Sequence, residues 1–489
     1  MSRPPFPGYP GAPADEAVGP AGELRPPYAG LRSALQELGT TGLAVAAHAL
    51  AERGVTVGAW ADGRQTVRPY PLDPFPRVVP VGEWARVTAG VEQRHRALNA
   101  FLADAYRAAG RRRGDADRAP ELVRAGVLPG WAVAHSPGRD PDAIAQAWSG
   151  QPRATVAGTD VLRTAEGSWV AAQDHLRVPA GLGYALADRQ HARSALPSLF
   201  AACRPSDPAD AVPLLRAGVA GAAPPTVDGE PRIAVLTAGE SDNAWYEHRL
   251  LAEALGVPLV RARDLWPRMD GGVEASVDGA RVAVDVLYRR CDDGLLGAYR
   301  TPTGQSLGTL LTEAVRAGRL GLANVPGNAL ADDVATYAWV PGMIRFYLGE
   351  EPILGSVPTW VLADEQQWAQ VRDRLHELVV TPVAGYGGRG AVHGPTCSAT
   401  ELASLQAEVA AAPYRFVAQE PVDTTTVPTL VDGDLRPRHV DLRVFSVADP
   451  DGTATALPAP LTRVAAGEGS TRTSADHGGG TKDTWLLGG

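Results

Sequence analysis

Lysine is almost absent from this 489-residue chain: Lys482 is its only one, and the other 45 of its 46 lysine-plus-arginine residues are arginine. A phosphate cradle built from several ammonium groups is therefore excluded. Cysteine is scarce as well. Cys203, Cys291 and Cys397 lie far apart and form no C-x-x-C pair, which excludes a disulfide framework or structural zinc site and fits a reducing compartment. No stretch approaches 18 apolar residues, so no membrane-spanning helix is expected. The opening Met1-Ser-Arg-Pro-Pro-Phe-Pro-Gly8 has no apolar core of a signal peptide, and the chain reads as cytoplasmic. Net charge is -9 with acids and arginines interspersed, so the basic face of a nucleic-acid binder is missing.

What is present is an ordinary globular composition, 45 % hydrophobic and 21 % charged, long enough for several domains. Residues 1–28 are rich in Pro, Gly and Ala and read as a disordered leader. Apolar residues at helical spacing predict helices over 31–53, and residues 60–80 read as a Pro-rich connector. The strongest helical pattern runs from Trp84 through Val87, Val91, His95, Leu98 and Leu102 to Tyr106. Arg232–Thr237, Val257–Val260 and Val282–Tyr288 read as strands around a helix near Asn243–Leu255, which predicts a βαβ unit with a parallel sheet. Farther on come a helix over 331–348, a strand ending at Pro382, a Gly-rich loop, a helix over 399–411 and strands over 415–419, 440–447 and 454–463.

Five clusters carry possible chemistry. Gly385, Gly387, Gly388 and Gly390, with Arg389 among them, follow a strand ending at Thr381-Pro382; such a loop can hold a phosphate on backbone N–H groups or be a simple turn. Gln173-Asp-His-Leu-Arg177, with Asp160 upstream, can bind a metal–phosphate group or form a local ion pair. Asn243, Glu247 and His248 start a helix, where capping competes with substrate contact. Arg289 and Arg290 close a strand of the parallel unit, the end at which ligands gather. Asp441 and Arg443 share one strand face, Arg438 the other; Arg443 can grip an anion through two hydrogen bonds or pair locally. HExxH and GxSxG are absent, which argues against hydrolases.

In order, Gly82–Arg86, Gln93–Leu102, Arg177–Tyr184, Asn243–His248, Tyr288–Asp293, Ala323-Asn324, Ala331–Asp333, Ile344–Glu350, the Gly-rich loop, Ala418-Gln419, Pro437–Arg443, Leu461–Arg463 and Gly478–Trp485 resemble the circularly permuted ATP-grasp type 2 family, relatives of glutathionylspermidine synthase. The resemblance covers residues 75–489. It implies an α/β, circularly permuted ATP-grasp-like fold with a central βαβ parallel-sheet domain. The division it suggests is a leader (1–28), an N-terminal helical region with the permuted metal-binding part (29–225), a substrate-type domain (226–320) and a nucleotide-binding part (321–489). It further implies ATP and Mg2+ as cofactors and the joining of a small-molecule or peptide carboxylate to an amine through an acyl-phosphate. The residue roles it suggests are metal binding by Asp160, Gln173 and His175, and nucleotide binding by Thr381, Gly385, Gly387, Gly388, Arg389, Gly390, Gln419 and Glu420. Substrate contact would fall to Asn243, Glu247, His248, Arg289 and Arg290, and catalysis to Arg177, Arg443 and Lys482. A separate alpha-E-domain protein is the partner the resemblance suggests.

The departures from the family pattern fall on the Mg-ATP residues. Where the family reads Glu-Asp-Asn-Leu-Arg, this chain has Gln173 and His175 at the ligand positions, a poorer set for a hard cation. Two family lysines are replaced by Val334 and Thr381, neither of which keeps the charge. Opposite charges about 4 Å apart interact by roughly 4 kcal/mol at an effective dielectric of ~20, so the two losses, discounted for solvent, weaken ATP binding roughly tenfold to thousandfold. The expectation is a degenerate homologue, a nucleotide-binding or non-catalytic partner subunit, with an active carboxylate–amine ligase using a rearranged metal site as the alternative.

Overall fold

Alternating side chains and a few long-range pairings organise the chain around the three largest of the five sheets among its described residues. The computed structural model describes residues 6, 8–61, 64–109, 119–140, 143, 146–383 and 390–488. The largest sheet has nine strands, and its main path runs Gly355–Ser356, Trp169–His175, Val156–Arg163, Asp434–Ala448, Leu461–Val464, Gly480–Leu487 and Leu72–Pro80. Thr426–Val431 and Ala454–Ala456 pair with the two ends of the long strand Asp434–Ala448. Strands from early and late parts of the sequence thus meet in one sheet.

One face of this sheet is covered by the long helix Val81–Ala109. Val87, Val91, Leu98 and Leu102 recur at helical spacing and are buried. Some of its polar residues are buried too: Arg94 grips Asp174 through two nitrogens, and His95 sits between Ser446 Oγ (2.9 Å) and the Ala154 carbonyl (2.8 Å). Burial pushes the His95 pKa down to about 4, so it serves as a neutral bridge between helix and sheet.

The second sheet is parallel, in the order Gly321–Ala323, Val286–Arg289, Ile233–Leu236, Leu259–Val260. The helix Trp245–Leu255 joins its first two strands in sequence, and Leu307–Arg316 precedes the last. Strand order reverses between Ile233–Leu236 and Val286–Arg289, and at such a switch point the strand C-termini open a crevice for ligands. Asn324 staples this sheet to the large one, accepting Val156 N–H at 2.7 Å and donating to Val156 O and Leu176 O. A third, antiparallel sheet has the order Thr359–Val361, Phe416–Gln419, Val379–Pro382, Val392–His393. The helix Ala399–Ala411 packs on it through Leu405 and Val409, and is opened by a reciprocal Ser398–Glu401 cap.

Several expectations need correction. The described part of the leader is packed rather than disordered: Phe6, Tyr9, Leu24 and Tyr28 join one apolar cluster with Phe75 and Trp485, and Glu16 forms a buried pair with Arg77 at 2.7 Å. Its Pro and Gly content hid a set of aromatic anchors. The connector over 60–80 is instead the end of a hairpin, Thr56–Ala61 with Arg64–Pro69, followed by the edge strand Leu72–Pro80. The single helix over 331–348 is broken into Ala329–Asp332, Val334–Tyr337, Val340–Met343 and a wide turn at Ile344–Leu348. Asp333 caps the second piece through Ala335 N–H, and Pro341 opens the third.

Lys482 is also placed differently from its expected catalytic role. Its neighbour Thr481 stands opposite Arg463, so the alternation of the strand sends Lys482 to the far face of the sheet. There it pairs with Asp73 and donates to Pro428 O at 2.9 Å and Phe75 O at 3.3 Å. Burial is the largest influence on the ammonium and lowers its pKa, with Asp73 opposing. Lys482→Ala leaves the Asp73 carboxylate buried without its cation; we expect a loss of about 3–5 kcal/mol of stability, read as a lower urea midpoint at unchanged slope.

Candidate active site

Between the three sheets lies a cleft of about 750 Å³. Its floor is set by strand register. Gln173 stands opposite Asp160, and Asp160 opposite Arg443, so these side chains form one row across three strands. A one-residue register shift after Asp160 leaves Ala172 as an extra residue between the paired Ala171 and Gln173. One step along, Asp441 stands opposite Arg463. His175 has the same parity as Gln173 and joins the cleft face, whereas Asp174 points away to Arg94.

Asp160 is the hub. Its Oδ1 accepts Arg443 Nε–H at 2.6 Å, and its Oδ2 accepts Arg443 Nη2 and Arg463 Nη2, both at 2.8 Å. His175 Nε2 lies 3.0 Å from Asp160 Oδ2 and 2.9 Å from Arg443 Nη2, so its tautomer decides whether it donates to the carboxylate or accepts from the guanidinium. Arg463 bridges onward to both oxygens of Asp441, at 2.9 and 2.6 Å. Burial alone would raise the Asp160 pKa; Arg443, then Arg463 and His175, overcome it and hold the carboxyl well below 3.8.

This arrangement does not fit magnesium. Both Asp160 oxygens are engaged by guanidinium groups, and the other two expected ligands are an amide and an imidazole. A hard dication needs several oxygen ligands, preferably anionic. Two arginines at the same point oppose its entry by like-charge repulsion. Among the described residues, no three His, Cys, Asp or Glu side chains are grouped to hold a metal ion.

The remaining expected residues divide. Asn243, His248 and Arg290 line the cleft. Glu247 is fully buried behind it, accepting Gly181 N–H at 2.6 Å and Gly183 N–H at 3.1 Å. Arg289 turns away to Asn324 O and Asp293. Arg177 is tied to Asp332 at 2.7 Å and Asp292 at 3.5 Å. Gln419 and Glu420 border a smaller cavity of about 190 Å³ with the apolar walls Leu162, Val357, Val379 and Val440. This cavity shares His393, Thr471 and Thr473 with the main cleft. Thr381 is buried in the small sheet opposite Val417. Val334 packs beside the apolar Ala335, Val361 and Val417 group. Gly390 adopts a positive φ of 75°, which favours glycine; Gly385, Gly387, Gly388 and Arg389 lie outside the described residues.

Sequence reasoning missed the cleft's rim. Val57 and Gly58 come from the first strand of the hairpin, just before the stretch read as a connector. Arg472, Thr473 and His477 come from the segment before the Gly-rich C-terminal motif, and His393 from the small sheet. Thr473 Oγ1 donates to Asp441, a link that the run Thr471-Arg-Thr-Ser474 could have suggested.

The pairing of Asp160 sets a pH dependence. A carboxyl with a depressed folded pKa contributes stability above its unfolded value, and that contribution is lost as pH falls through the folded pKa. The stability difference between wild type and Asp160→Asn should be constant at neutral pH and shrink only below the ordinary value of 3.8, as measured by urea unfolding across an acid series.

With the geometry in place, known proteins supply the context. A protein of Frankia alni provisionally named glutamate–cysteine ligase 2-3 is 41 % identical over 484 residues, covering 96 % of this chain and 53 % of that one. A second, from Frankia casuarinae and provisionally named glutamate–cysteine ligase 2-2, is also 41 % identical, with the same coverage. The chain thus spans about half the length of these curated relatives. An uncharacterized protein of Mycobacterium tuberculosis is 38 % identical over 478 residues, 97 % of this chain and 84 % of that one. Among solved structures, an apo glutathione synthetase-like effector of Globodera pallida superposes with a TM-score of 0.57 at 11 % identity, covering 92 % and 97 % of the two chains, which is a likeness of fold. The sequence profile described as circularly permuted ATP-grasp type 2 matches residues 76–465, and the chain belongs to that family.

Proposed function

We propose that this protein is a degenerate ATP-grasp homologue that binds a nucleotide-like anion in the cleft without carrying out magnesium-dependent phosphoryl transfer. The observation that carries this reading is the closed Asp160 hub: the one acidic metal-ligand candidate is already neutralised by Arg443, Arg463 and His175. Phosphoryl transfer in a site of this type rests on positioned cations acting on the charge that develops between nucleotide and acceptor. Here two of those cations are held by carboxylates, and both family lysine positions are neutral.

Binding is a separate matter. The small apolar-walled cavity bordered by Gln419 and Glu420 suits a base, and Arg472 on the adjoining rim suits an anionic tail. Arg472 Nη2 reaches the Ala391 carbonyl at 3.4 Å, a weak tie that an anion can replace. The provisional ligase names of the two Frankia relatives favour the opposite reading, an active carboxylate–amine ligase, and fix the substrates for testing it. A non-catalytic role would place the chain beside a partner, for which a separate alpha-E-domain protein is our proposal by family resemblance.

ATP should raise the melting temperature equally with magnesium and with EDTA. Arg472→Met should weaken that binding by about tenfold, the loss of one charge-assisted contact. ADP release with glutamate, cysteine and magnesium should stay at the no-enzyme background. Magnesium-dependent ADP release that disappears in Asp160→Ala would overturn the proposal and establish the ligase.

A further inference from the structure

A separate cavity of about 390 Å³ lies beside Asp73 and Arg438, away from the Asp160 hub. Along the strand Asp434–Ala448, Arg438 has the opposite parity to Asp441 and Arg443, so its side chain leaves the sheet on the face away from the cleft. The walls come from distant stretches of chain. They are the last turns of the helix Arg32–Ala51, residues 69–74 at the start of the edge strand, the end of Thr426–Val431, and the end of Leu461–Val464 with Gly478 and Gly480. Leu50, Val55, Leu72, Leu430 and Val464 make the lining mostly apolar. The volume falls within the roughly 300–1,000 Å³ usual for small-molecule sites.

Three polar side chains line this cavity: Asp73, Thr429 and Arg438. Asp73 is fully engaged, by Lys482, by Phe75 N–H at 2.9 Å and by Leu430 N–H at 2.7 Å. The Thr429 hydroxyl donates to Val427 O at 3.1 Å. Arg438 is different. It is 6 % exposed, and its Nε and Nη1 donate to the carbonyls of Ala466 at 3.2 Å and Pro437 at 2.8 Å. Its Nη2 has no hydrogen-bond partner among the described residues, yet it is not sealed from solvent. One carboxylate, Glu468, comes within 4.0 Å of Nη1, and its side chain is 76 % exposed; an ion pair of that kind contributes little. Arg77, Arg94 and Arg463, by contrast, each hold a buried carboxylate. A guanidinium taken out of water with carbonyls as its hydrogen-bond partners still lacks a buried counter-charge.

We infer that this cavity binds a small monoanion with an aliphatic tail, of the class of medium-chain carboxylic acids. The carboxylate accepts from Arg438 Nη2–H and supplies the missing counter-charge, a charge-assisted contact of the stronger kind. The alkyl chain lies against Leu50, Leu72 and Val464 and takes their surface out of water. An alkylammonium is disfavoured, because Arg438 repels it and Asp73 is already held by Lys482. No nucleotide, metal or turnover is involved, so the site stands or falls independently of the cleft and of its degenerate ATP-grasp reading.

Calorimetric titration of the full chain tests this with the straight-chain acids from butanoate to dodecanoate, each below its micelle concentration, and with the matched alcohols and amines. Affinity should tighten roughly three- to fourfold per added methylene among the short acids, then level off once the cavity is full. The matched alcohol and amine should bind about tenfold or more weakly, the effect of losing one charged contact. Arg438→Met keeps an apolar stem without the charge and should lose about tenfold or more in acid affinity. Ala47 lines the cavity from the helix, and Ala47→Phe should fill it and weaken the longer acids most. Absence of binding by every acid would overturn the inference, as would equal affinity for acid and alcohol. Wild-type affinity in Arg438→Met would overturn it too. Should Arg438→Met fail to fold, Ala47→Phe and the acid-against-alcohol comparison decide, and unchanged affinity in Ala47→Phe puts the acid elsewhere and overturns it.

Discussion

A carboxylate taken out of water must be paired, and the way Asp160 is paired governs the cleft around it. The register of three antiparallel strands puts Arg443 directly across from it, and the next strand brings Arg463 within reach. Those two guanidinium groups, with His175, settle the local electrostatics: the site is closed to a dication before any ligand arrives. Asp441 repeats the pattern with Arg463 and Thr473.

The far face of the sheet shows the same physics put to structural use. Arg94 with Asp174, Arg77 with Glu16, and Lys482 with Asp73 are all buried pairs. They tie the long helix, the leader and the edge strand to the sheet. Buried pairs add little net stability over apolar packing, but removing one partner is costly. The scarcity of lysine therefore says less about ligand binding than it first suggests, because the single ammonium is committed to holding two ends of the chain together.

Much of the fold was legible from pattern alone. The helix containing Val87, Val91 and Leu98, the parallel strands around Ile233–Leu236 and Val286–Arg289, and the helix Ala399–Ala411 follow from periodicity and caps. Composition misled where it stood in for pattern: the Pro-rich leader carries Phe6, Tyr9 and Tyr28, and their burial outweighs the backbone's lack of regular structure. The neutral identities of Gln173, Val334 and Thr381 and the imidazole of His175 were also readable, since they concern residue identity at fixed positions. Which side chains converge was not. Arg289 and Arg290 are adjacent in sequence and diverge to opposite sides of a strand, and Gln173, Asp174 and His175 split between two faces of a sheet.

The sequence by itself determined the family and much of the succession of elements, because these depend on local pattern and on which residue occupies each position. Only the tertiary structure decided that Lys482 is a buried strut, that Asp160 is capped by two arginines, and that His248 and Arg290 share a crevice. Each of those outcomes depends on strand register and on side-chain alternation between faces, where a shift of one residue exchanges the ligand side for the core.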